Sequence, residues 1–168
     1  MRVVIRNKWI SLGGSSYVND ENENPLLKVK GKIFTFTNKK IIQELDGTPI
    51  YIVRNKFWYL FHRQSFVIDM EGNKVAHLSR KIFSLHDHYN ITSTKYGNVI
   101  LRGNILGFDY HITVNDQEVG HVSRKISLRD SFVLDIDDNY DWKYFTALVI
   151  ALDVMVDKMR SDSNSYNY

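Results

Sequence analysis

The chain has 168 residues, 43% hydrophobic and 24% charged, with a formal net charge of +3 and a pI near 9.0. That balance fits one globular domain with room for a core. Cysteine is absent, which excludes disulfides and thiolate chemistry and favours a reducing compartment.

The opening Met1-Arg-Val-Val-Ile-Arg-Asn-Lys8 has too short an apolar stretch for a signal peptide, so a cytoplasmic protein is expected. Charge is unevenly spread. Residues 1–80 hold 13 Lys+Arg against 7 Asp+Glu, whereas residues 81–168 hold 9 against 12. A basic first half suits phosphates or an anionic membrane surface.

Period-two alternation dominates the chain and predicts short strands in sequence. They are Val3–Trp9, Ser16–Asp20, Leu26–Val29, Ile33–Thr37, Lys40–Leu45, Ile50–Arg54, Phe57–Phe61 and Phe66–Met70. Lys74–Leu78, Tyr89–Ser93, Asn98–Arg102, Phe108–Val114, Glu118–Val122 and Ser131–Ile136 follow. Asp46-Gly47, Glu71-Gly72, Tyr96-Gly97-Asn98 and Asn115-Asp116 supply positive-φ turn residues between them.

Part of the sequence repeats. Lys74-Val-Ala-His-Leu-Ser-Arg-Lys-Ile82 matches Glu118-Val-Gly-His-Val-Ser-Arg-Lys-Ile126, with a fainter copy over Pro49–Phe57. Ser65–Asn73 likewise matches Ser131–Asn139. Shared phase predicts Phe66, Ile68 and Met70 on one face and Phe132, Leu134 and Ile136 on the equivalent face. Related hairpins of this kind suit a closed sheet, because closure removes aggregation-prone edges.

The last element differs from everything before it. Tyr144–Leu152 is apolar on every side of a helix, and such a helix must be enclosed by protein or lipid. From Trp142 to Val156 it is about 22 Å long, short of the roughly 20 residues that span a bilayer. Asp153 also interrupts it. It is therefore expected to be the core of the surrounding sheet, not a membrane span. Asp141 is the expected N-cap, with Asp138 adding favourable charge. Asp153 is expected in water at the barrel mouth, since a buried carboxylate costs several kcal/mol unless paired. One domain is expected over 1–160, with a flexible tail over 161–168.

The order of these features resembles LURP-one-related proteins. The matching stretches are Tyr17–Gly31, the Asp46-Gly47 turn with Ile50–Lys56, Val75–Ile82, and Asp141-Trp142 leading into the apolar helix with Asp153. The resemblance implies an all-β fold with one helix: a closed barrel of about twelve strands around a hydrophobic C-terminal helix, shared with tubby C-terminal domains and phospholipid scramblases. Tubby domains bind phosphoinositides through surface basic residues, but no tubby binding pattern aligns here. No lipid-binding residue is carried over.

Few residues point to chemistry. There is no Gly-x-Ser-x-Gly elbow, and Leu12-Gly-Gly-Ser-Ser16 lacks the lysine of a P-loop. His86 and His88 are two ligands without an identifiable third, so no metal is expected there. Asp135-x-Asp137-x-Asn139-x-Asp141 alternates oxygens like a calcium loop but lacks the required glycine and glutamate. Turn formation and helix capping account for it better. The candidate anion-binding residues are Arg80, Lys81, Arg124, Lys125 and Arg129, which form a basic rim if both pairs sit at strand ends.

The expected function is a non-catalytic cytoplasmic binding module for anionic lipid headgroups or another membrane-surface ligand. It is expected to have no cofactor, no nucleic-acid partner and no integral membrane segment. The alternatives are a protein-interaction role through the aromatic run Phe57–Phe61, and a scramblase-like lipid-associated role.

Overall fold

The computed structural model describes residues 1–6, 15–31, 39–56, 64–80, 87–104, 109–124 and 131–164; for Lys56, Asp87 and residues 157–164 only the backbone is described. The strands are β1 (Arg2–Arg6), β2 (Ser15–Asn19), β3 (Pro25–Gly31), β4 (Lys40–Gln43), β5 (Pro49–Lys56) and β6 (Gln64–Ile68). They continue with β7 (Lys74–Arg80), β8 (Asp87–Ser93), β9 (Gly97–Asn104), β10 (Asp109–Val114), β11 (Gln117–Arg124) and β12 (Ser131–Ile136), before α1 (Trp142–Asn164). The expected strands at Ile33–Thr37 and Phe57–Phe61 lie outside the described residues.

Each strand pairs antiparallel with its sequence neighbours, and β1 closes the barrel on β12 through Val3↔Leu134 and Ile5↔Phe132. Alternation decides which side chains fill the lumen. Val3, Leu27, Val29, Ile42, Val53, Val67, Leu78, Ile91, Leu101, Tyr110, Val122 and Leu134 are all at most 1% exposed. Because all pairing is antiparallel, the C-terminal ends of odd strands share one rim, here called upper. The six turns at 20–24, 44–48, 69–73, 94–96, 115–116 and 137–141 share the lower rim.

The lower turns follow from local chemistry. Gly47, Gly72, Gly97, Asn115 and Asp116 all take positive φ, as expected for residues that tolerate it. In two of these loops one aspartate oxygen accepts from two turn amides. Asp20 Oδ1 accepts from the Asn22 and Asn24 amides at 2.9 and 2.8 Å, and Asp69 Oδ1 from those of Glu71 and Asn73 at 3.0 and 2.8 Å.

The repeat has a structural meaning. After each of four turns, the returning strand carries one extra residue: Leu26, Ile50, Val75 or Val119. These are β-bulges, which bend strands at barrel ends. Val119 is buried, while Leu26, Ile50 and Val75 pack against the core edge. The lower end of the barrel is thus closed by the bulged apolar residues and by the start of the helix.

The helix is the barrel's filling. Every residue from Tyr144 through Val156 is at most 4% exposed. A run of more than three turns buried in every direction is enclosed on all sides. Asp141 is the N-cap: its Oδ1 accepts from the Lys143 and Tyr144 amides at 3.0 and 3.2 Å. Its Oδ2 accepts from Lys95 Nζ at 2.8 Å, and its own amide donates to the Tyr96 hydroxyl at 2.9 Å. Tyr96 packs between Tyr140, Tyr144 and Phe145 at centroid distances of 5.4 to 5.5 Å.

Burial pushes the Asp141 carboxyl up, but hydrogen bonds from Lys95, Tyr144 and Lys143 outweigh it and hold the carboxyl below its ordinary value. The hydrogen bond to Asp141 raises Lys95. A depressed carboxyl contributes stability above its unfolded pKa of about 3.9, lost as pH falls through the folded value. A raised lysine contributes below its unfolded pKa of about 10.4, lost as pH rises through the folded value. Asp141→Ala is therefore expected to cost about 1–2 kcal/mol at neutral pH. Thermal unfolding across pH should show a shallower acid decline in the variant.

Three expectations are modified. Asp153 is not in water at the mouth: it is 4% exposed, enclosed with the rest of the helix. The helix runs to Asn164, into the stretch expected as a tail. The Ser65–Asn73 and Ser131–Asn139 copies do not share a face. Phe132, Leu134 and Ile136 point into the barrel, whereas in β6 the buried positions are Ser65 and Val67. Pairing of Val67 with Ala76 sets this phase and turns Phe66 outward, where it stacks on His77 at 4.8 Å.

Candidate functional site

Carboxylates gather at the lower rim because they build turns and cap the helix. Asp135, Asp137 and Asp141, considered above for calcium, are engaged separately. Asp135 pairs with Arg2 at 3.1 Å, Asp137 accepts from the Asn139 amide at 2.8 Å, and Asp141 caps the helix.

Arg80 and Arg124 end β7 and β11, and both are exposed at the upper rim. Each has the same phase as the lumen-facing residue two before it, Leu78 or Val122, so both stand at the barrel mouth. They are four strands apart, about 19 Å along the sheet at roughly 4.8 Å per strand. Lys81, Lys125 and Arg129 lie outside the described residues.

The structure brings together a different set. The strands β3 to β7 contain no Asp or Glu, yet carry Lys28, Lys30, Lys40, Arg54, Lys56, Lys74 and Arg80. On their outer face, cross-strand neighbours run Lys30, Ile41, Ile52, Ile68, Lys74. The adjacent row runs Arg54, Phe66, His77. Ile41, Ile52, Ile68 and Phe66 are partly exposed, while Lys30, Arg54 and Lys74 are exposed. Lys74 Nζ lies 4.7 Å from the Phe66 centroid, a cation–π contact. The result is an apolar strip bordered by cations.

Sequence reading located the basic half but not this strip. Its signal was the outward-phase apolar residue at positions 41, 52, 66 and 68, visible only once strand register is known.

A twelve-stranded antiparallel barrel closed around a C-terminal helix defines a barrel class in which the helix is core. A sequence model described as LURP-one-related matches residues 1–153, and the chain belongs to that family. It is similar to the uncharacterized protein YxjI of Bacillus subtilis (strain 168), at 21% identity over 157 residues, covering 93% of this chain and 94% of YxjI. It is also similar to LURP-one-related 15 of Arabidopsis thaliana, at 21% identity over 169 residues, covering 89% of this chain and 77% of the plant protein. The X-ray structure of an Arabidopsis thaliana protein has the same fold, with a TM-score of 0.55, 19% identity, and coverage of 91% of this chain and 90% of that one. Among the described residues, no helix is long and apolar enough to cross a membrane.

Proposed function

We propose that this protein is a non-catalytic cytoplasmic binding module that docks on anionic membrane surfaces through the outer face of β3–β7. The observation that carries this reading is the Ile41–Ile52–Ile68 strip with Phe66, bordered by Lys30, Arg54 and Lys74 on strands free of carboxylates. Cations attract anionic headgroups at about 1 kcal/mol each near the surface. The apolar strip supplies the shallow contact that electrostatics alone lacks.

Flotation with phosphatidylserine-containing vesicles tests the reading. Recruitment at low salt that falls as salt rises is the expected result. No recruitment at low salt overturns it. Recruitment to neutral and anionic vesicles alike removes the role of the cations. Absence of vesicle binding together with capture by an acidic protein would move the same patch to a protein partner.

A further inference from the structure

Half the barrel away from the basic strip, the outer face of β10 and β11 gathers two histidines and a carboxylate. His111 and His121 are directly opposite across the strand pair, with ring centroids 4.9 Å apart. Asp109 shares the His111 face of β10, two residues earlier, and its Oδ1 lies 2.5 Å from His121 Nε2. One donor atom from each of the three lies within 4.8 Å of the others.

The bulge creates this arrangement. In a plain two-residue hairpin through Asn115 and Asp116, His111 would oppose Gly120, and His121 would face the lumen. Val119, the extra residue, shifts the register so that Ile112 opposes Gly120 and His111 opposes His121. Gly120 belongs to the same device: a Cβ there would stand 2.5 Å from the Asp135 carbonyl oxygen.

We infer that Asp109, His111 and His121 form a site for a divalent metal of the zinc type. Two imidazoles and one carboxylate are an N/O donor set that zinc accepts at about 2.0–2.2 Å, leaving a position open to water or an external ligand. Harder cations prefer an all-oxygen shell. His111 already has the supporting contact such ligands need: its Nδ1 lies 2.9 Å from Glu118 Oε1, which orients the ring and leaves Nε2 to ligate. Around the site, Asp109, Glu118 and Asp116 set negative charge against Arg102, which opposes His111 from β9 and, with His111, Asp116 and Glu118, lines an open depression beside it. His121 faces Asp135 on its other side, and Asp135 is paired with Arg2. The three ligands are at least one-third exposed, so they can close on an ion without disturbing the core.

The test is calorimetric titration of the chelator-treated full chain with zinc chloride, with native mass spectrometry for stoichiometry. One zinc per chain, bound saturably in the micromolar range, is the expected result. Glu118→Gln should weaken binding about tenfold or more, and His111→Ala or His121→Ala should weaken it further. His77→Ala, at a histidine on β7, three strands from β10, should bind like the native chain. Unchanged thermal midpoints of the apo variants would show that folding is intact. Absence of saturable uptake overturns the inference. So does zinc binding that survives in the His111→Ala/His121→Ala double variant, or that magnesium displaces at equal concentration.

Discussion

Phe145→Ala is expected to destabilise the protein by about 3–5 kcal/mol, the usual cost of deleting a fully buried aromatic ring. For a domain of this size that lowers the thermal midpoint by on the order of 10 °C. Phe145 is 0% exposed and packs against Tyr96, Tyr140 and Tyr144. These contacts join the helix start to the β8–β9 turn and the β12–α1 connection. The substitution therefore leaves a cavity where the barrel is closed from below. An amphipathic helix lying on the barrel exterior, or one inserted in lipid, would lose far less stability. A calorimetric change under 1 kcal/mol would contradict enclosure.

Replacing Lys30, Arg54 and Lys74 together by Gln is expected to lower partitioning onto anionic vesicles by on the order of a hundredfold. Each neutralised cation removes about 1 kcal/mol of attraction, and about 1.4 kcal/mol is a factor of ten. The three side chains are exposed on strand surfaces, so the thermal midpoint should move little. Arg2, on β1 outside the patch and paired with Asp135 and Glu21, serves as the control; Arg2→Gln should leave partitioning unchanged. The same loss per neutralised charge in both variants would mean that net charge alone drives binding and that the β3–β7 patch has no special role.

Much of the architecture was legible because several signals agreed. Strand positions followed from alternation, turn positions from Gly47, Gly72, Gly97 and Asn115-Asp116, and the helix from its all-round apolarity and the Asp141 cap. Three things were not legible, each for a physical reason. Gln64–Ile68 has apolar side chains on both faces, so pattern alone does not set its phase; a one-residue shift exchanges the faces. The bulges at Leu26, Ile50, Val75 and Val119 shift register within strands, and Val119 determines that His111 meets His121. Asp153 was assigned to water on cost alone, yet it lies within the packed helix at 4% exposure. Its position follows from the length of helix that the barrel covers, which includes Val154, Met155 and Val156.

The basic character of the proposed surface was legible in the sequence, but the strip itself was not. The excess of Lys and Arg in residues 1–80 marked the basic half. Arg80 and Arg124, which close the two matching histidine motifs, end strands at a common rim and stand four strands apart. The cations that border the continuous apolar strip are Lys30, Arg54 and Lys74. They are far apart in sequence and become neighbours only through the pairings of β3 to β7.

The most membrane-like segment is the core, and the proposed membrane contact lies on the basic barrel wall. Hydrogen–deuterium exchange, measured with and without anionic vesicles, tests it most directly. Amides of Tyr144–Leu152 are expected to stay protected at the level of global unfolding in both conditions, while β3 to β7 gain protection on the vesicles. Loss of helix protection on vesicle binding, with no change in β3 to β7, would contradict it.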